Sequence, residues 1–270
     1  MDEAYVPFDA EKVRAGARHL VIGSDLRYFP VVDSTNRVAA DLPAGSWRHG
    51  TVVVADYQEA GRGRLQRTWV APPGSSLLVS IVLAPPADVA PSDLTMVAAL
   101  AVADAIREAC GFQAELKWPN DVLLEGRKLG GILAERSEQQ GESRVVLGIG
   151  LNLNFDPGDF SDTADSGTSL QLAVGHPVER ESVALALFKC CELWYRILTW
   201  DPNSVFSTWA ARLQTVGHAV LVSGTDRRWQ GVATGVQRDG ALLVRDDKGE
   251  THAVYAADVS IRRLGGFTSR

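Results

Sequence analysis

The stretch QEAGRGRLQRTW, residues 58–69, carries the most information about how this chain folds and what it binds. Its core, Gly61-Arg62-Gly63-Arg64, places two guanidinium groups on a glycine-rich backbone. Glycine lacks Cβ, so backbone N–H groups can approach an anion, and the planar guanidinium group matches phosphate or carboxylate oxygens. The preceding run TVVVADY, residues 51–57, predicts a buried strand that holds this loop at a rigid edge. The stretch predicts either an anion-binding loop or a solvated Arg-Gly loop.

Three later stretches favour the anion-binding interpretation. ELKWPND, residues 115–121, places Lys117 in an apolar strand-like run, where a lysine either snorkels to the surface or faces an anion. KLGGILAE, residues 128–135, predicts a strand opened by two glycines. VVLGIGLNLN, residues 145–154, predicts another strand whose glycines leave room beside it for a flat ligand.

A polar segment, DSTN at residues 33–36, lies upstream of the loop. Ser34 or Thr35 can cap a helix that continues through residues 37–40, and the structural interpretation is that they do nothing more. The functional interpretation adds that the helix N-terminus and its polar side chains attract an anion or a urea-like group.

In their order and approximate spacing, these five motifs resemble those of the biotin protein ligase family. The resemblance is specific over residues 33–154 and continues more weakly to Arg262. One position departs from the family pattern GRGRxGRxW, because Gln66, after Leu65, stands where the third glycine is usual. We therefore expect a loop that is stiffer than is usual in the family.

The resemblance implies an ATP-dependent ligase that works in two steps. The carboxylate of biotin attacks the α-phosphate of ATP and releases pyrophosphate, and a lysine amine of a carrier protein then attacks the mixed anhydride and expels AMP. Two anions meet in the first step, so the site needs fixed positive charge, which the family pattern assigns to the predicted catalytic residues Lys117, Arg62 and Arg64. The acceptor lysine must lose a proton from a pKa of about 10.4, and the sequence identifies no base for this.

The same resemblance implies the remaining site residues. The predicted biotin-binding residues are Ser34, Thr35, Asn36, Gln58, Gly61, Arg62, Gly63, Arg64 and Lys117. The predicted residues for ATP and the adenylate are Arg62, Arg64, Arg67, Trp69, Lys117, Asn120, Asn152 and Arg262. For Arg262, a solvated strand arginine is the alternative. Trp69 and Trp118 are either apolar wall or plain core. Mg²⁺ is expected to accompany ATP, with ligands unknown and Asp121 and Glu135 as candidates near it.

The expected partners are biotin, ATP and a biotin carboxyl carrier protein or domain of a biotin-dependent carboxylase. The alternative function is a lipoate or octanoate protein ligase or transferase of related fold, which resembles this chain less in the Gly-Arg-Gly-Arg loop and at residues 117–121. A net charge of −6 argues against nucleic acid as the main partner. Only 33 residues precede Ser34, too few for the winged-helix domain of ligases that double as repressors, so we expect a monofunctional ligase without specific DNA binding.

Composition predicts a cytoplasmic protein without a membrane span. Cys110, Cys190 and Cys191 show no Cys-x-x-Cys spacing and follow no secretion signal, as is typical of a reducing compartment, and they are expected to be small buried hydrophobes. The five histidines lack metal-ligand spacing, so no zinc site is expected. The most apolar helical stretch, residues 96–106, is too short to cross a membrane and contains Asp104.

Hydrophobic patterning predicts a domain with helices and strands over residues 1–214 and a second, β-rich domain over residues 215–270. The resemblance implies that the first is the α/β catalytic domain that binds biotin and ATP. The predicted helices cover residues 9–20, 92–109 with Ser92 as cap, 180–200 and 205–213, and residues 154–170 are predicted as a loop. Trp194 and Trp200 are predicted core anchors. The resemblance implies a mixed sheet similar to that of class II aminoacyl-tRNA synthetases, and five short strands after residue 215 suggest an SH3-like β-barrel.

Overall fold

The computed structural model of the protein describes residues 5–139, 141–159, 167–223, 228–255 and 258–261. The helices in these ranges are α1 Ala10–Ala17, α2 Thr35–Ala40, α3 Pro91–Cys110, α4 Leu170–Val174, α5 Arg180–Trp200 and α6 Pro202–Arg212. The strands of the first sheet are β1 Leu26–Val32, β2 Thr51–Gln58, β3 Ser76–Leu83, β4 Glu115–Lys117, β5 Asp121–Leu124, β6 Arg127–Gln139 and β7 Glu142–Asn152. Those of the second sheet are β8 Ala219–Ser223, β9 Arg228–Val236, β10 Leu242–Arg245, β11 Thr251–Val254 and β12 Asp258–Ile261.

The first sheet is mixed, as predicted. Its strand order is β1-β2-β3-β7-β6-β5-β4, with β1 parallel to β2 and all other neighbours antiparallel. Both faces of β2 are buried, because Val52 and Val54 join the main core while Val53 joins a small cluster on the opposite face. A strand buried on both faces needs a continuous run of apolar, β-branched residues, and β2 contains such a run at residues 52–54. Helices α3 and α5 pack on the main-core side, and α2 packs on the other.

Helix α3 begins one residue earlier than predicted. Pro91 is its first residue, and the carboxylate of Asp93 accepts a hydrogen bond of 3.0 Å from the N–H of Ala90. The prediction that Ser92 caps this helix is wrong, because proline has no N–H to satisfy and its fixed φ suits the first helical position. The helix ends at Cys110, one residue past the predicted end, and the next residue, Gly111, takes a left-handed conformation with φ of 77°.

The two tryptophans of α5 have opposite environments. Trp194 is 9% exposed, and its indole N–H donates to Asp104 at 2.8 Å, which confirms it as a core anchor. Trp200 is 85% exposed, so the prediction that it is a core anchor is wrong. Leu198 is the last buried residue of α5, and two further residues turn roughly 200° around a helix, which places Trp200 on the outer face.

The cysteines behave as the small hydrophobes that the sequence predicts. Cys190 and Cys191 are buried and Cys110 is half-buried, all three as free thiols. Burial raises the pKa of the Cys190 thiol to about 11 and raises the pKa of Cys191 as well. Both therefore stay protonated and unreactive near neutral pH.

The second sheet contains the five strands predicted after residue 215, antiparallel throughout in the order β11-β10-β9-β8-β12. Over the described residues its edge strands β11 and β12 each have one neighbour, so the sheet is open there. It joins the first unit through an ion pair of 2.6 Å between Arg238 and Asp93 on α3. No helix in the described part of the chain is both long and apolar enough to span a membrane.

A buried ion pair ties the start of the chain to β2 and α5. Asp56 is fully buried, and its carboxylate lies 2.6 Å from a guanidinium nitrogen of Arg180 and accepts bonds from the Phe8 N–H and the Tyr28 hydroxyl. Arg180 also donates to the carbonyl of Val6 at 2.7 Å. Burial, followed by the bond to Asp56, raises the pKa of Tyr28 well above its ordinary range. Removing one partner of such a pair leaves the other charge buried and uncompensated.

We predict that Arg180→Ala lowers the free energy of unfolding by about 3–5 kcal/mol, because Asp56 then remains charged and buried. Urea denaturation measures the loss. The matched control is Lys189→Ala, which removes a surface ion pair with Glu108 whose side chains are 63% and 46% exposed, and which should leave stability nearly unchanged. Equal losses in the two variants would contradict the assignment.

Candidate active site

A cavity of about 960 Å³ lies where the ends of several strands of the first sheet meet strand β12 of the second. The predicted site residues that line it are Ser34, Thr35, Asn36, Gln58, Arg62, Gly63, Arg64, Arg67, Trp69, Lys117, Asn120, Asp121 and Asn152. Gly61 and Glu135 line an adjoining cleft on the outer side of the loop. Arg262 lies outside the described residues, while Val259 and Ser260 of β12 reach the cavity wall.

One end of the cavity is a buried polar cluster at the start of α2. Ser34, Thr35 and Asn36 are 2%, 4% and 6% exposed. The backbone N–H and the hydroxyl of Thr35 both donate to the side-chain oxygen of Gln58, at 2.8 and 2.9 Å. Ser34 occupies the N-cap position, but its side chain makes no capping hydrogen bond, so the capping prediction is wrong for its hydroxyl. Gln58, from the neighbouring strand β2, satisfies the first N–H of the helix instead.

Ser80 belongs to the same cluster, and the sequence analysis missed it. It lies on β3, is fully buried, and places its hydroxyl oxygen 2.8 Å from the Thr35 hydroxyl and 2.6 Å from the Asn36 side-chain oxygen. A hydroxyl carries a single proton, so it donates to one of these oxygens at a time. The available signal was a serine in the middle of the apolar strand SLLVSIVL, residues 76–83.

The Gly-Arg loop is folded back on itself. The Trp69 N–H donates to the Gly61 carbonyl at 2.9 Å, and the Gly63 N–H donates to the Arg67 carbonyl at 2.7 Å. Residues 64–66 form a single 3₁₀ turn within this ladder. Leu65, which is 54% exposed, has φ of 53° in that turn. The left-handed conformation that glycine favours is therefore adopted here by a leucine.

The cations of the cavity are held by neighbouring carboxylates. Arg62 lies 2.8 Å from Glu135 on β6, and Lys117 at the end of β4 lies 3.7 Å from Asp121. Lys128, which also lines the cavity, lies 2.6 Å from the other oxygen of Asp121. Lys128 begins the motif KLGGILAE and was not among the predicted site residues. These pairs keep positive charge beside the cavity.

Two asparagines shape the opposite part of the cavity. The Asn120 side chain donates to the Ile132 carbonyl at 2.9 Å and accepts a hydrogen bond of 3.3 Å from Arg64. Asn152 is 7% exposed, and its amide donates to the Thr168 carbonyl at 3.0 Å. Both amides are thus oriented by the backbone before any ligand is present.

Gly148 and Gly150 of β7 line the cavity, but the room directly beside these glycines is taken by side chains of the chain itself rather than left for a ligand. A Cβ on Gly148 would lie 2.8 Å from Cγ of Asn36, and one on Gly150 would lie 2.8 Å from Cε2 of Trp69. The flat group against this strand is the chain's own indole. Glycine is required because it lets Trp69 and Asn36 approach the backbone closely. The indole nitrogen of Trp69 is buried without a hydrogen-bond acceptor among the described residues.

Trp118 belongs to the core and also forms part of the cavity wall. It is 1% exposed and lines the cavity. Its indole N–H donates to the Gly240 carbonyl at 2.8 Å, and its backbone N–H donates to the Thr215 hydroxyl at 2.9 Å. Both of the roles predicted for Trp118 are therefore combined in one side chain.

The candidate metal ligands do not form a prepared cation site. Asp121 is engaged by two lysines, and Glu135 accepts bonds from Arg62 and from the Asn36 amide at 2.9 Å. Carboxylates neutralised by cations are poor ligands for Mg²⁺, which needs exposed oxygens in near-octahedral geometry.

In the described ranges, one group of at least three carboxylate and imidazole ligand atoms comes within 4.8 Å, and it consists of Asp246, Glu250 and His252. It lies in the β10–β11 turn, where Asp246 already accepts the N–H groups of Lys248 and Glu250 at 2.9 Å each. This cluster stabilises the turn.

Two protein families match the chain. The Biotin/lipoate A/B protein ligase family matches residues 28–152, and the Biotin protein ligase C terminal domain matches residues 215–262. The two matches coincide with the first sheet, from β1 to β7, and with the second sheet.

Several curated proteins are similar over most of their length. The bifunctional ligase/repressor BirA of Bacillus subtilis (strain 168) is 35% identical over 255 residues, which cover 93% of this chain and 78% of that protein. A biotin–acetyl-CoA-carboxylase ligase of Paracoccus denitrificans is 36% identical over 238 residues, which cover 84% of this chain and 96% of that protein. The enzyme of the same name from Mycobacterium tuberculosis (strain ATCC 25618 / H37Rv) is 36% identical over 253 residues, covering 88% and 90% of the two chains.

The fold is also that of a solved structure from Aquifex aeolicus, a biotin protein ligase in complex with biotin and ATP. The two superpose with a TM-score of 0.76 at 26% identity, over 88% of this chain and 99% of that one. Together with the sequence identity to the curated relatives, this shows that the chain belongs to the biotin protein ligase family.

Proposed function

We propose that this protein is a biotin–protein ligase, which activates biotin with ATP to biotinyl-5′-AMP and transfers it to a lysine of a carrier protein. The observation that carries this proposal is the composition of one cavity. It joins the cations Arg62, Arg64 and Lys117 to a buried polar cluster at the start of α2. The relatives named as biotin–acetyl-CoA-carboxylase ligases point to a carboxyl carrier protein or domain as the acceptor.

The polar cluster suits the ureido group of biotin. A urea carries one carbonyl acceptor and two N–H donors, and the side chains of Ser34, Thr35, Asn36 and Gln58 offer both kinds of partner. The hydrogen bonds among these side chains and Ser80 fix their orientation, so little ordering is needed when the ligand binds.

The cations suit the first chemical step. The biotin carboxylate attacks the α-phosphorus, a P–O bond forms to the carboxylate oxygen, and the bond to pyrophosphate breaks. Lys117, Arg62 and Arg64 stabilise the negative charge on the meeting groups, and because they are held before the reaction, they need little reorganisation during it. Their carboxylate and amide partners are exchanged for ligand oxygens when biotin and ATP bind.

The nucleotide would lie against Trp69, whose buried indole N–H has no acceptor among the described residues, and against Arg67, Asn120 and Asn152. Arg262 directly follows β12, whose residues Val259 and Ser260 reach the same cavity, which supports a role for this arginine near ATP. Mg²⁺ as the companion of ATP is supported by the charge of the triphosphate alone. To bind Mg²⁺, Glu135 would first have to break its ion pair with Arg62, and Asp121 its ion pair with Lys128.

In the second step, the neutral amine of the carrier lysine attacks the acyl carbon of the adenylate, an amide bond forms, and AMP leaves. The adenylate is prone to hydrolysis, so water must be kept from it in the meantime. Residues 61–67 form the folded loop between the cavity and the outer cleft, and we assign it the role of a cover over the intermediate.

Three finer assignments belong to the same proposal. The boundary between a catalytic domain and a C-terminal domain is placed at residues 214 and 215, supported by the separate sheets on its two sides. The five antiparallel strands of the C-terminal unit support a small SH3-like barrel, and the mixed first sheet supports a likeness to class II aminoacyl-tRNA synthetases. Free thiols at all three cysteines support a reducing cytoplasm, and the net charge of −6 supports a ligase that does not bind specific DNA.

Mass spectrometry of a carboxyl carrier domain after incubation with enzyme, ATP and Mg²⁺ tests the proposal. With biotin, the carrier should gain one biotinyl group on its acceptor lysine. With lipoate or octanoate in place of biotin, it should remain unmodified. Acylation by lipoate alone would replace this proposal with the alternative, a lipoate ligase of related fold.

We predict that Lys117→Ala lowers the rate of adenylate formation at least about tenfold and leaves the fold intact, because its charge acts on the transition state. Biotin-dependent ATP–pyrophosphate exchange measures the rate. Lys189→Ala is the matched control, since that lysine lies on the surface of α5 and should keep full activity. A loss smaller than about tenfold, equivalent to roughly 1.4 kcal/mol of barrier, would show that Lys117 is not catalytic.

We predict that Gly148→Ala weakens biotin binding about tenfold or more. The new methyl group would displace the Asn36 amide from the polar cluster, and overpacking a filled site costs about 1–3 kcal/mol. Isothermal titration calorimetry gives the dissociation constant. Gly235→Ala is the matched control, because a Cβ at that strand position meets no heavy atom within 4 Å. Unchanged biotin affinity in Gly148→Ala would show that Asn36 does not contribute to biotin binding.

We predict that Arg64→Gly releases biotinyl-adenylate faster, by about one to two powers of ten, since the loop loses a charged contact of roughly 1.5–3 kcal/mol and gains backbone freedom. The readout is non-specific biotin on added albumin, compared at equal adenylate synthesis. Arg48→Gly, in a loop that does not line the cavity, is the control. Equal labelling by wild type and Arg64→Gly would show that the loop does not retain the intermediate.

A further inference from the structure

The strand that carries Lys117 is held by the segment that leads from α6 into the C-terminal unit, which is the part of the chain from Thr215 onward. Strand β4 has only three residues, and its register with β5 pairs Lys117 with Asp121 on one side. On its other side, the Gln214 N–H donates to the Leu116 carbonyl at 2.8 Å, and Leu213 forms a parallel bridge with Leu116. A strand this short has few hydrogen bonds of its own, so its position depends on these neighbours.

Thr215 continues this contact to the residue after Lys117. Its side chain is fully buried, and its hydroxyl oxygen accepts the backbone N–H of Trp118 at 2.9 Å. The Trp118 amide is part of the peptide that links it to Lys117. Without the threonine hydroxyl, this N–H would be buried without an acceptor, and the Lys117–Trp118 peptide would shift to find one.

The indole of Trp118 makes a second contact with the same unit. Its N–H donates to the Gly240 carbonyl at 2.8 Å, in the turn between β9 and β10. That turn is itself fixed on α3, because Arg238 pairs with Asp93 at 2.6 Å and a Cβ on Gly240 would lie 3.5 Å from Met96. Trp118 is therefore anchored at its backbone and at its ring by residues of the C-terminal unit.

Lys117 needs such an anchor because its own side-chain contact is loose. Its ammonium group lies 3.7 Å from Asp121, whereas Lys128 occupies the other carboxylate oxygen at 2.6 Å. Asp121 thus orients Lys128 more firmly than Lys117, and the direction of the Lys117 side chain follows its backbone.

We infer that Thr215, together with the Gly240 carbonyl, is a positioning element for Lys117, so that the C-terminal unit sets the geometry of adenylate formation. This inference rests on the proposed function, in which Lys117 faces the reacting oxygens. Thr215 touches no substrate; it acts through the Trp118 peptide. The buried hydroxyl at position 215 and the carbonyl at position 240 are the parts of the C-terminal unit that carry this role.

The test is biotin-dependent ATP–pyrophosphate exchange by the full chain, with kcat and KM measured separately. Thr215→Val keeps the shape and removes the acceptor, and its kcat should fall about tenfold while KM for ATP changes less than about threefold. Thr215→Ser restores the hydroxyl and should recover kcat to within about twofold. Thr234→Val, an exposed threonine of the same unit that bonds the Leu243 carbonyl, should behave as wild type.

A double-mutant cycle separates positioning from simple destabilisation. Because Thr215 acts through Lys117, Thr215→Val should cost less than about twofold in kcat when added to Lys117→Ala. The same fold-loss in both backgrounds, or full kcat in Thr215→Val, would overturn the inference. If Thr215→Val does not fold, Trp118→Phe, which removes the bond to Gly240 together with part of the buried ring, takes its place in the cycle under the same two outcomes.

The failure of the inference is distinguishable from failure of the proposed function. If the wild-type chain shows no biotin-dependent ATP–pyrophosphate exchange, the proposed function is wrong. If the wild-type chain catalyses the exchange and Thr215→Val is equally fast, only the role of Thr215 is wrong.

Discussion

Two negatively charged reactants must meet in this site, and the ion pairs that hold its cations are the constraint on which the rest of the structure depends. Lys117 is partly buried, so its charge would be costly to leave unpaired, whereas the side chain of Arg62 is 48% exposed. Glu135 and Asp121 compensate for them while the cavity is without ligand. Glu135 holds Arg62 at 2.8 Å, while Lys117 is 3.7 Å from Asp121 and takes its direction from its backbone, so positive charge is ready before biotin and ATP arrive.

Strand pairing places those carboxylates. The β4–β5 hairpin sets Asp121 opposite Lys117, and β6 brings Glu135 to the loop that carries Arg62. The cavity thus depends on the register of the first sheet, since a slip of one residue would turn each of these side chains to the other face. The C-terminal unit adds the last wall through β12 and, in our inference, the position of the Lys117 backbone.

Much of this arrangement follows from local sequence. The apolar run at β2 and the periodicity of α5 gave bounds close to the observed ones, because burial on both faces of a strand or along one stripe of a helix leaves a clear pattern. The Arg-Gly loop and the lysine at position 117 were found because their residue types suit anions. The partners of the site were not predicted. Ser80 and Thr215 act through residues 44 to 97 positions away, and no local pattern reports such contacts.

The errors have the same origin. A glycine in a strand indicates that another group approaches the backbone closely. It does not indicate whether that group is a ligand or a side chain of the protein, such as Trp69 at Gly150. Trp200 is apolar, yet the helix ends just past the buried stripe, which only the packing of α5 reveals. Gln58 replaces Ser34 as the partner of the first N–H of α2 because β2 lies beside it in space.

The central claim is that this cavity activates biotin by joining it to the α-phosphate of ATP. Its most direct test is radiolabelled pyrophosphate exchange into ATP by the purified chain, with biotin or lipoate as the only carboxylate present. We predict exchange that requires biotin and is lost without it. Exchange that is equal with lipoate, or that proceeds without either carboxylate, would contradict the account.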